Sequence, residues 1–155
     1  TTIVANGFSK AFAMTGWRVG YVVVPEEVAK RLVNLNNITI TNVPVFLQVA
    51  ALKALEQKAT IAAKARATCK KRAELASKML GKRFSFSKPN AGFYIFPKLP
   101  DGVETIGYVN QLLDNGVAVV PGAAFGNYNQ HIRISLAAEE KVLKRALNSI
   151  ITTIE

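Results

Sequence analysis

The alternation of hydrophobic and polar positions predicts two short strands and a helix at the start of the chain. Thr2 to Ala5 and Val19 to Val24 are β-branched and apolar runs followed by turn-forming residues, which is typical of buried strands. Pro25-Glu26-Glu27 then opens a helix, because proline fits a first helical turn and acidic residues there favour the helix dipole. We expect this helix to end near Leu35 and Asn36 to Pro44 to form a linker.

The middle of the chain predicts a long pair of helices. After a weak point near Gln57, an alanine- and lysine-rich helical pattern continues to Leu80, where Gly81 fits a C-cap. The apolar residues of the first helix recur at helical spacing and are Val45, Val49, Leu52 and Leu55.

The last part of the chain predicts a small sheet with two helices. The helices are expected around Tyr108 to Leu113 and over the amphipathic segment Glu139 to Ile154. The order is strand, strand, helix, strand, strand, helix, which indicates an α/β fold. Four short apolar or alternating runs are typical of strands, and they lie at 84–86, 93–96, 117–120 and 132–136.

The composition limits the class of protein. The 155 residues are 50% hydrophobic, enough to bury one ordinary core. The longest apolar stretches, Val19 to Pro25 and Ala91 to Pro97, are too short to cross a bilayer, and no signal peptide is recognisable. The single Cys69 cannot form an internal disulfide. We therefore expect a soluble, cytoplasmic protein without a membrane partner and without a metal site.

The net charge of +10 raises nucleic acid as a possible partner. Much of the charge lies between Lys53 and Arg83, in a helical pattern that contains no aromatic residue on which bases could stack. A solvated helix face explains this pattern better, so no nucleic acid partner is expected. A basic nucleic-acid-binding module remains the weaker alternative.

A loop between the first two strands concentrates residues with chemical potential. Lys10 lies among apolar and small neighbours, and its nearest charged residue in the loop is the cation Arg18. Desolvation and repulsion would both favour a neutral amine at Lys10. A neutral lysine can form a Schiff base with a carbonyl compound, and the planar guanidinium of Arg18 suits a phosphate. Aldehyde and phosphate together suggest pyridoxal phosphate, although a lone lysine in a turn is usually a plain surface residue.

This loop resembles a known signature. The sequence Gly-Phe-Ser-Lys-x-x-Ala-Met-x-Gly-x-Arg-Val-Gly, from Gly7 to Gly20, is similar to the cofactor-attachment motif of class I and II aminotransferases, which are fold-type-I enzymes dependent on pyridoxal phosphate. The resemblance covers essentially the whole chain, because it continues through 42–44, 90–94, 116–126 and 131–135.

The resemblance implies the carboxyl-terminal part of such an enzyme. Residues 1–44 would then be a remnant of the large cofactor-binding domain, with two strands and a helix. Residues 45–82 would form the connecting helices, and residues 83–155 the small carboxyl-terminal α/β domain.

The resemblance also implies roles for individual residues. Lys10 resembles the lysine that holds the cofactor as a Schiff base and later moves the substrate's proton. Arg18 and Ser9 resemble residues that bind the phosphate. Arg133 resembles the arginine that pairs with the substrate's α-carboxylate, for which a structural salt bridge is the alternative. Asn42 is expected to face the cofactor of a neighbouring subunit, since members of the family are usually dimers.

The implied activity transfers the amino group of an L-amino acid to a 2-oxo acid. We expect the 155-residue chain alone to be an inactive fragment, because the family's carboxylate for the pyridine nitrogen lies upstream of the lysine and no acidic residue precedes Lys10. A lyase or synthase on the same fold is the main alternative, since fold does not fix reaction type.

Two departures from the family's pattern qualify the resemblance. Gly7 stands where many members have a serine that reaches the phosphate, and the segment from Asn36 to Thr41 lacks the arginine of dicarboxylate-specific members. Aspartate specificity is therefore not supported by this part of the protein. His131 is expected to be structural rather than a general base, because Lys10 already fills that role.

Overall fold

The computed structural model describes residues 2–154, which form two compact units. The first unit ends at Arg66 and the second begins at Ala67, so the division falls within a helix rather than in a loop. Within the described residues, no helix combines the length and the apolar character of a membrane-spanning segment.

The first unit begins with a two-stranded antiparallel sheet. Strand β1 (Val4–Gly7) pairs with β2 (Gly20–Val23), with Val4 opposite Val23. Both predicted strands are present, although β1 begins and ends two residues later than the predicted run from Thr2 to Ala5. The expectation that they are buried is wrong, because nearly all of their residues are exposed. The reason is that this sheet contains no third strand among residues 2–154 and therefore cannot cover the apolar side chains of either strand.

Helix α2 (Glu26–Thr39) follows Pro25 as predicted but continues beyond Leu35. The extra turn forms although asparagine and threonine are weak helix formers. The Thr39 hydroxyl donates to the Leu35 carbonyl at 2.9 Å, and the amides of Ile40 and Thr41 both donate to the Asn36 carbonyl at 2.9 Å. The predicted linker is therefore shortened to residues 40–44, where Thr41 adopts a left-handed φ of 70°.

The two helices predicted in the middle of the chain are present. Helix α3 (Val45–Glu56) starts directly after Pro44, and α4 (Lys58–Leu80) follows a break at Gln57. The short helix α1 (Phe8–Ala11) lies earlier in the chain, in the loop between β1 and β2. Helix α4 ends immediately before Gly81, whose amide donates to the Ser77 carbonyl at 3.0 Å.

The second unit contains a three-stranded antiparallel sheet. Strand β5 (Ile132–Ser135) lies at its centre, between β3 (Tyr94–Ile95) and β4 (Val120–Pro121). The strand predicted at 84–86 is replaced by a single bridge between Ser85 and Lys98. Phe84 is nevertheless buried, so this segment packs on the core without forming a regular strand.

Two helices complete the second unit, α5 (Thr105–Asp114) and α6 (Glu140–Thr152). The buried Tyr108 joins them, because its hydroxyl donates a hydrogen bond to the Ile150 carbonyl. Burial raises the pKa of Tyr108, so this group remains a donor. The core of this unit is built from fully buried side chains of α4, α5, β5, the residue directly after β5, and α6. They include Leu80, Leu112, Ile132, Leu136, Leu143, Leu147 and Ile150.

Glu140 at the start of α6 is held between two lysines. Its carboxylate accepts from Lys71 of α4 at 2.8 Å and from Lys144 of α6 at 2.9 Å. The hydrogen bonds from Lys71 and Lys144 lower the pKa of Glu140 from 4.5 to about 2.

This lowered pKa predicts how the stability of the second unit depends on pH. Because the folded-state pKa of Glu140 is depressed, its contribution should be complete above pH 4.5 and should disappear as the pH falls towards about 2. We expect Glu140→Gln to be less stable than the parent chain above pH 4.5, with the difference vanishing towards pH 2 in thermal unfolding. Glu139→Gln is the matched control, and a Glu140→Gln difference that is independent of pH would contradict the prediction.

Candidate active site

The loop between β1 and β2 is closed by backbone hydrogen bonds. It begins with the single-turn helix α1 (Phe8–Ala11), and its two ends meet where the Phe8 amide donates to the Val19 carbonyl at 3.1 Å. The amides of Phe12 and Met14 both donate to the Phe8 carbonyl, at 3.2 and 3.4 Å. These bonds fold the loop back on its first residue.

Three apolar side chains anchor this loop. Phe8, Met14 and Val19 are buried in one cluster with Ala51 of α3. Their burial fixes the direction of the residues between them, and Lys10 remains exposed.

Arg18 occupies a backbone conformation that is uncommon for residues with side chains. Its φ of 53° and ψ of 43° lie in the left-handed region, directly before the buried Val19. The guanidinium donates to the Thr15 carbonyl at 2.8 Å, and the Thr15 hydroxyl lies 3.4 Å from the Ser9 carbonyl, to which it donates. Arg18 is thus connected by hydrogen bonds to the turn that contains Lys10.

The loop offers a donor set that fits a phosphorylated aldehyde. Lys10 supplies a solvent-accessible primary amine, and Arg18 supplies a guanidinium of which one nitrogen is engaged by Thr15. Ser9, half-buried beside Lys10, adds a hydroxyl. No acidic residue occurs between Thr2 and Pro25.

Arg133 belongs to the second unit and is placed by strand alternation. Its neighbours Ile132 and Ile134 are buried in the core, so Arg133 projects from the other face of β5. The guanidinium carbon lies 4.4 Å from the ring centre of Tyr94 and 4.5 Å from that of Phe125. No carboxylate among residues 2–154 forms an ion pair with Arg133, so the alternative of a structural salt bridge is not supported within the described residues.

Aromatic residues surround Arg133 in an open depression. The depression measures about 300 Å³, and the guanidinium is the one charged group that the described residues contribute to it. Phe96 packs edge-on against Phe125, with ring centres 6.0 Å apart. The lining residues are Tyr94, Phe96, Phe125, Tyr128 and Arg133.

His131 is part of the same aromatic packing. Its ring stacks on Phe96 with centres 5.0 Å apart and contacts Tyr128 edge-on at 5.5 Å. Its backbone carbonyl accepts from the Gly122 amide at 2.6 Å. This packing supports the structural role expected for His131.

Gly122 permits the turn that brings Phe125 towards Arg133. A side chain at this position would collide with the Tyr128 carbonyl, and it would lie only 2.8 Å from the His131 carbonyl oxygen. Both contacts involve backbone atoms, which cannot move aside without displacing the turn.

We predict that Gly122→Ala destabilises the second unit by ~1–3 kcal/mol, the usual cost of overpacking a tight site. Denaturant unfolding of the chain measures this cost. Gly16→Ala is the control, because a side chain there would meet no atom within 4 Å. Equal costs for the two substitutions would show that the steric argument is wrong.

The structure places the predicted residues in two separate groups. Lys10, Ser9 and Arg18 share the loop of the first unit, and Arg133 lies on the sheet of the second. Asn42 is exposed in the segment between α2 and α3. The rings of Tyr94 and Phe125 were not predicted to be neighbours of Arg133. For Tyr94 the sequence did hold a signal, because Tyr94 is adjacent to the core residue Ile95 and therefore lies on the opposite face of the strand.

Comparison with known proteins identifies the family. The sequence model of the family described as aminotransferase class I and II matches residues 1–150, and the chain belongs to this family. The resemblance found in the sequence is thereby confirmed, as is the fold class of a partial α/β structure from a pyridoxal-phosphate-dependent aminotransferase.

Two curated relatives illustrate the similarity. The aspartate aminotransferase of Thermococcus kodakarensis is 40% identical over 148 residues, which cover 96% of this chain and 39% of the relative. The aromatic-amino-acid aminotransferase 2 of Thermococcus litoralis is 37% identical over 153 residues, with 95% and 39% covered. The chain thus spans about two fifths of the length of these relatives.

A solved structure has a similar fold. The crystal structure of an aromatic aminotransferase from Pyrococcus horikoshii matches with a TM-score of 0.89 at 36% sequence identity. The match covers 99% of this chain and 42% of that one.

Proposed function

We propose that this chain contributes the lysine and three of the anion-binding residues, Ser9, Arg18 and Arg133, of an aminotransferase that moves the amino group of an L-amino acid to a 2-oxo acid. The observation that supports this most is the closed loop around Lys10, in which hydrogen bonds through Thr15 connect the Arg18 guanidinium to the turn that contains Lys10. Membership of the aminotransferase family supports pyridoxal 5'-phosphate as the cofactor.

Each residue has a distinct task in this proposal. Pyridoxal phosphate, when bound, supplies an electron sink for chemistry at the substrate's α-carbon. Lys10 would hold the cofactor through its aldehyde carbon and, once displaced by substrate, its amine would carry the proton from the substrate's α-carbon to the cofactor's C4′ carbon. Arg18 and Ser9 hold the phosphate, and Arg133 orients the α-carboxylate through paired N–H donors.

Substrate specificity and oligomeric state are proposed here for the protein of which this chain covers a part. The two curated relatives named above are an aspartate and an aromatic-amino-acid aminotransferase, which supports amino acid substrates without selecting one. We propose a cytoplasmic homodimer in which Asn42 faces the partner's site. The 155-residue chain alone is expected to show no turnover, because it spans only about two fifths of the length of the relatives named above.

Covalent attachment of the cofactor is the direct test. Incubation of the chain with pyridoxal phosphate, followed by borohydride reduction and peptide mass analysis, should place the reduced pyridoxyl group on Lys10 in preference to other lysines. Lys10→Ala should remove this product, since the amine that attacks the aldehyde is lost. Lys30→Ala is the matched control, because Lys30 is an exposed lysine of the same unit that pairs with Glu26 at 2.7 Å.

Two outcomes would contradict the proposal. One is labelling spread evenly over the lysines of the parent chain. The other is labelling whose distribution over the remaining lysines is the same in Lys10→Ala as in Lys30→Ala, because Lys10 would then have no special reactivity.

A further inference from the structure

The face of the second unit's sheet that lies away from the core is built around one cation. Tyr94 of β3 is paired with Ser135, and Arg133 lies two residues before Ser135 on β5. Residues paired across antiparallel strands point to the same face, so the Tyr94 and Arg133 side chains share this face. Ile95 and Ile134, which are paired with each other, share the opposite, buried face.

The second ring reaches Arg133 from a different element. Phe125 ends the single turn Gly122–Phe125 that follows β4, and Gly126 after it adopts a φ of 118°, which favours glycine. Phe125 in turn packs against Phe96. Two elements distant in sequence therefore bring aromatic rings within 4.5 Å of one guanidinium carbon.

This arrangement restricts the guanidinium without neutralising it. A ring face attracts a cation but offers no carbonyl or carboxylate oxygen to accept its N–H groups. Since Arg133 also has no carboxylate partner within residues 2–154, its N–H donors are not used by an internal ion pair. The arginine is ordered by contacts that leave its hydrogen-bonding capacity for a ligand.

We infer that Tyr94 and Phe125 are positioning residues, which hold the Arg133 guanidinium in one orientation so that it binds a carboxylate attached to an apolar group. The inference rests on the proposed function, in which Arg133 receives the α-carboxylate, and it adds the residues that prepare Arg133 for this role. An arginine ordered before binding loses less side-chain entropy when the carboxylate arrives. The lining of the depression is apolar apart from the guanidinium and the tyrosine hydroxyls, which favours an apolar group next to the carboxylate.

The test measures carboxylate binding to the 155-residue chain by nuclear magnetic resonance of arginine Nε–H groups. The probe is 3-phenylpropionate, and 3-phenylpropionamide is the uncharged control of nearly the same shape. Arg133→Lys assigns the Arg133 signal by its disappearance. We expect the carboxylate, and not the amide, to shift this signal in the parent chain.

The variants separate positioning from general packing. Tyr94→Leu and Phe125→Leu should each raise the Kd by about two- to tenfold, the cost of ordering one long side chain on binding. Tyr94→Phe and Phe125→Tyr should restore the parent Kd, because each keeps a ring face. Phe86→Leu is the matched control, since Phe86 packs against the core of the same unit, whereas the rings that face the Arg133 guanidinium are those of Tyr94 and Phe125.

The inference is overturned if both leucine variants bind with the parent Kd, if Phe86→Leu weakens binding equally, or if the carboxylate does not shift the Arg133 signal. Its failure is distinguishable from failure of the proposed function, because the latter is tested by covalent labelling of Lys10 in the other unit. Labelling of Lys10 together with unchanged Kd values would remove only the positioning role.

Discussion

In both units, the candidate site residues lie close in sequence to apolar residues that are buried, and this burial is the constraint on which the rest of the structure depends. In the first unit, Phe8 lies two residues before Lys10 and Val19 directly follows Arg18, and both apolar residues are buried. In the second, Arg133 lies between Ile132 and Ile134, which are 0% and 4% exposed. On the strand, the Arg133 side chain must point away from the core, because successive side chains of a strand point to opposite faces.

The same constraint gives different local environments. In the loop, the apolar residues Phe8, Met14 and Val19 are buried together, whereas Lys10 and Arg18 are exposed. Thr15 connects the Arg18 guanidinium to the turn that contains Lys10. On the sheet, the face away from the core is covered by aromatic rings that contact Arg133. The loop therefore suits covalent capture of a phosphorylated aldehyde by an accessible amine, whereas the sheet suits recognition of a carboxylate by an ordered guanidinium.

The sequence predicted the elements of the fold better than their environments. Helices α3 and α4 and the break at Gln57 followed from apolar spacing, and strand β5 from its short apolar run. The extension of α2 to Thr39 depends on a side-chain hydrogen bond that helix propensity does not reveal. The prediction that β1 and β2 are buried was wrong. The composition of a strand indicates that it can pack against other elements, but its exposure depends on which elements are present to cover it.

The roles of the site residues were accessible mainly through resemblance to a family. Spacing alone gave Lys10 and Arg18 a chemical rationale but left an ordinary surface lysine as the more frequent case. The strand position of Arg133 was predictable from alternation. Its contact with Phe125 was not, because it depends on the turn at Gly122, where backbone carbonyls exclude any larger residue.

We propose that the loop between β1 and β2 presents the Lys10 amine and the phosphate-binding Arg18 guanidinium to the same small molecule. The most direct measurement compares the capture of pyridoxal phosphate at Lys10 with that of pyridoxal, which lacks the phosphate, in the parent chain and in Arg18→Ala. The account predicts that the parent chain prefers the phosphorylated aldehyde by about tenfold or more, since a hydrogen bond to a charged group contributes ~1.5–3 kcal/mol, and that Arg18→Ala loses this preference. An undiminished preference in Arg18→Ala, with Arg31→Ala as the matched control, would contradict it.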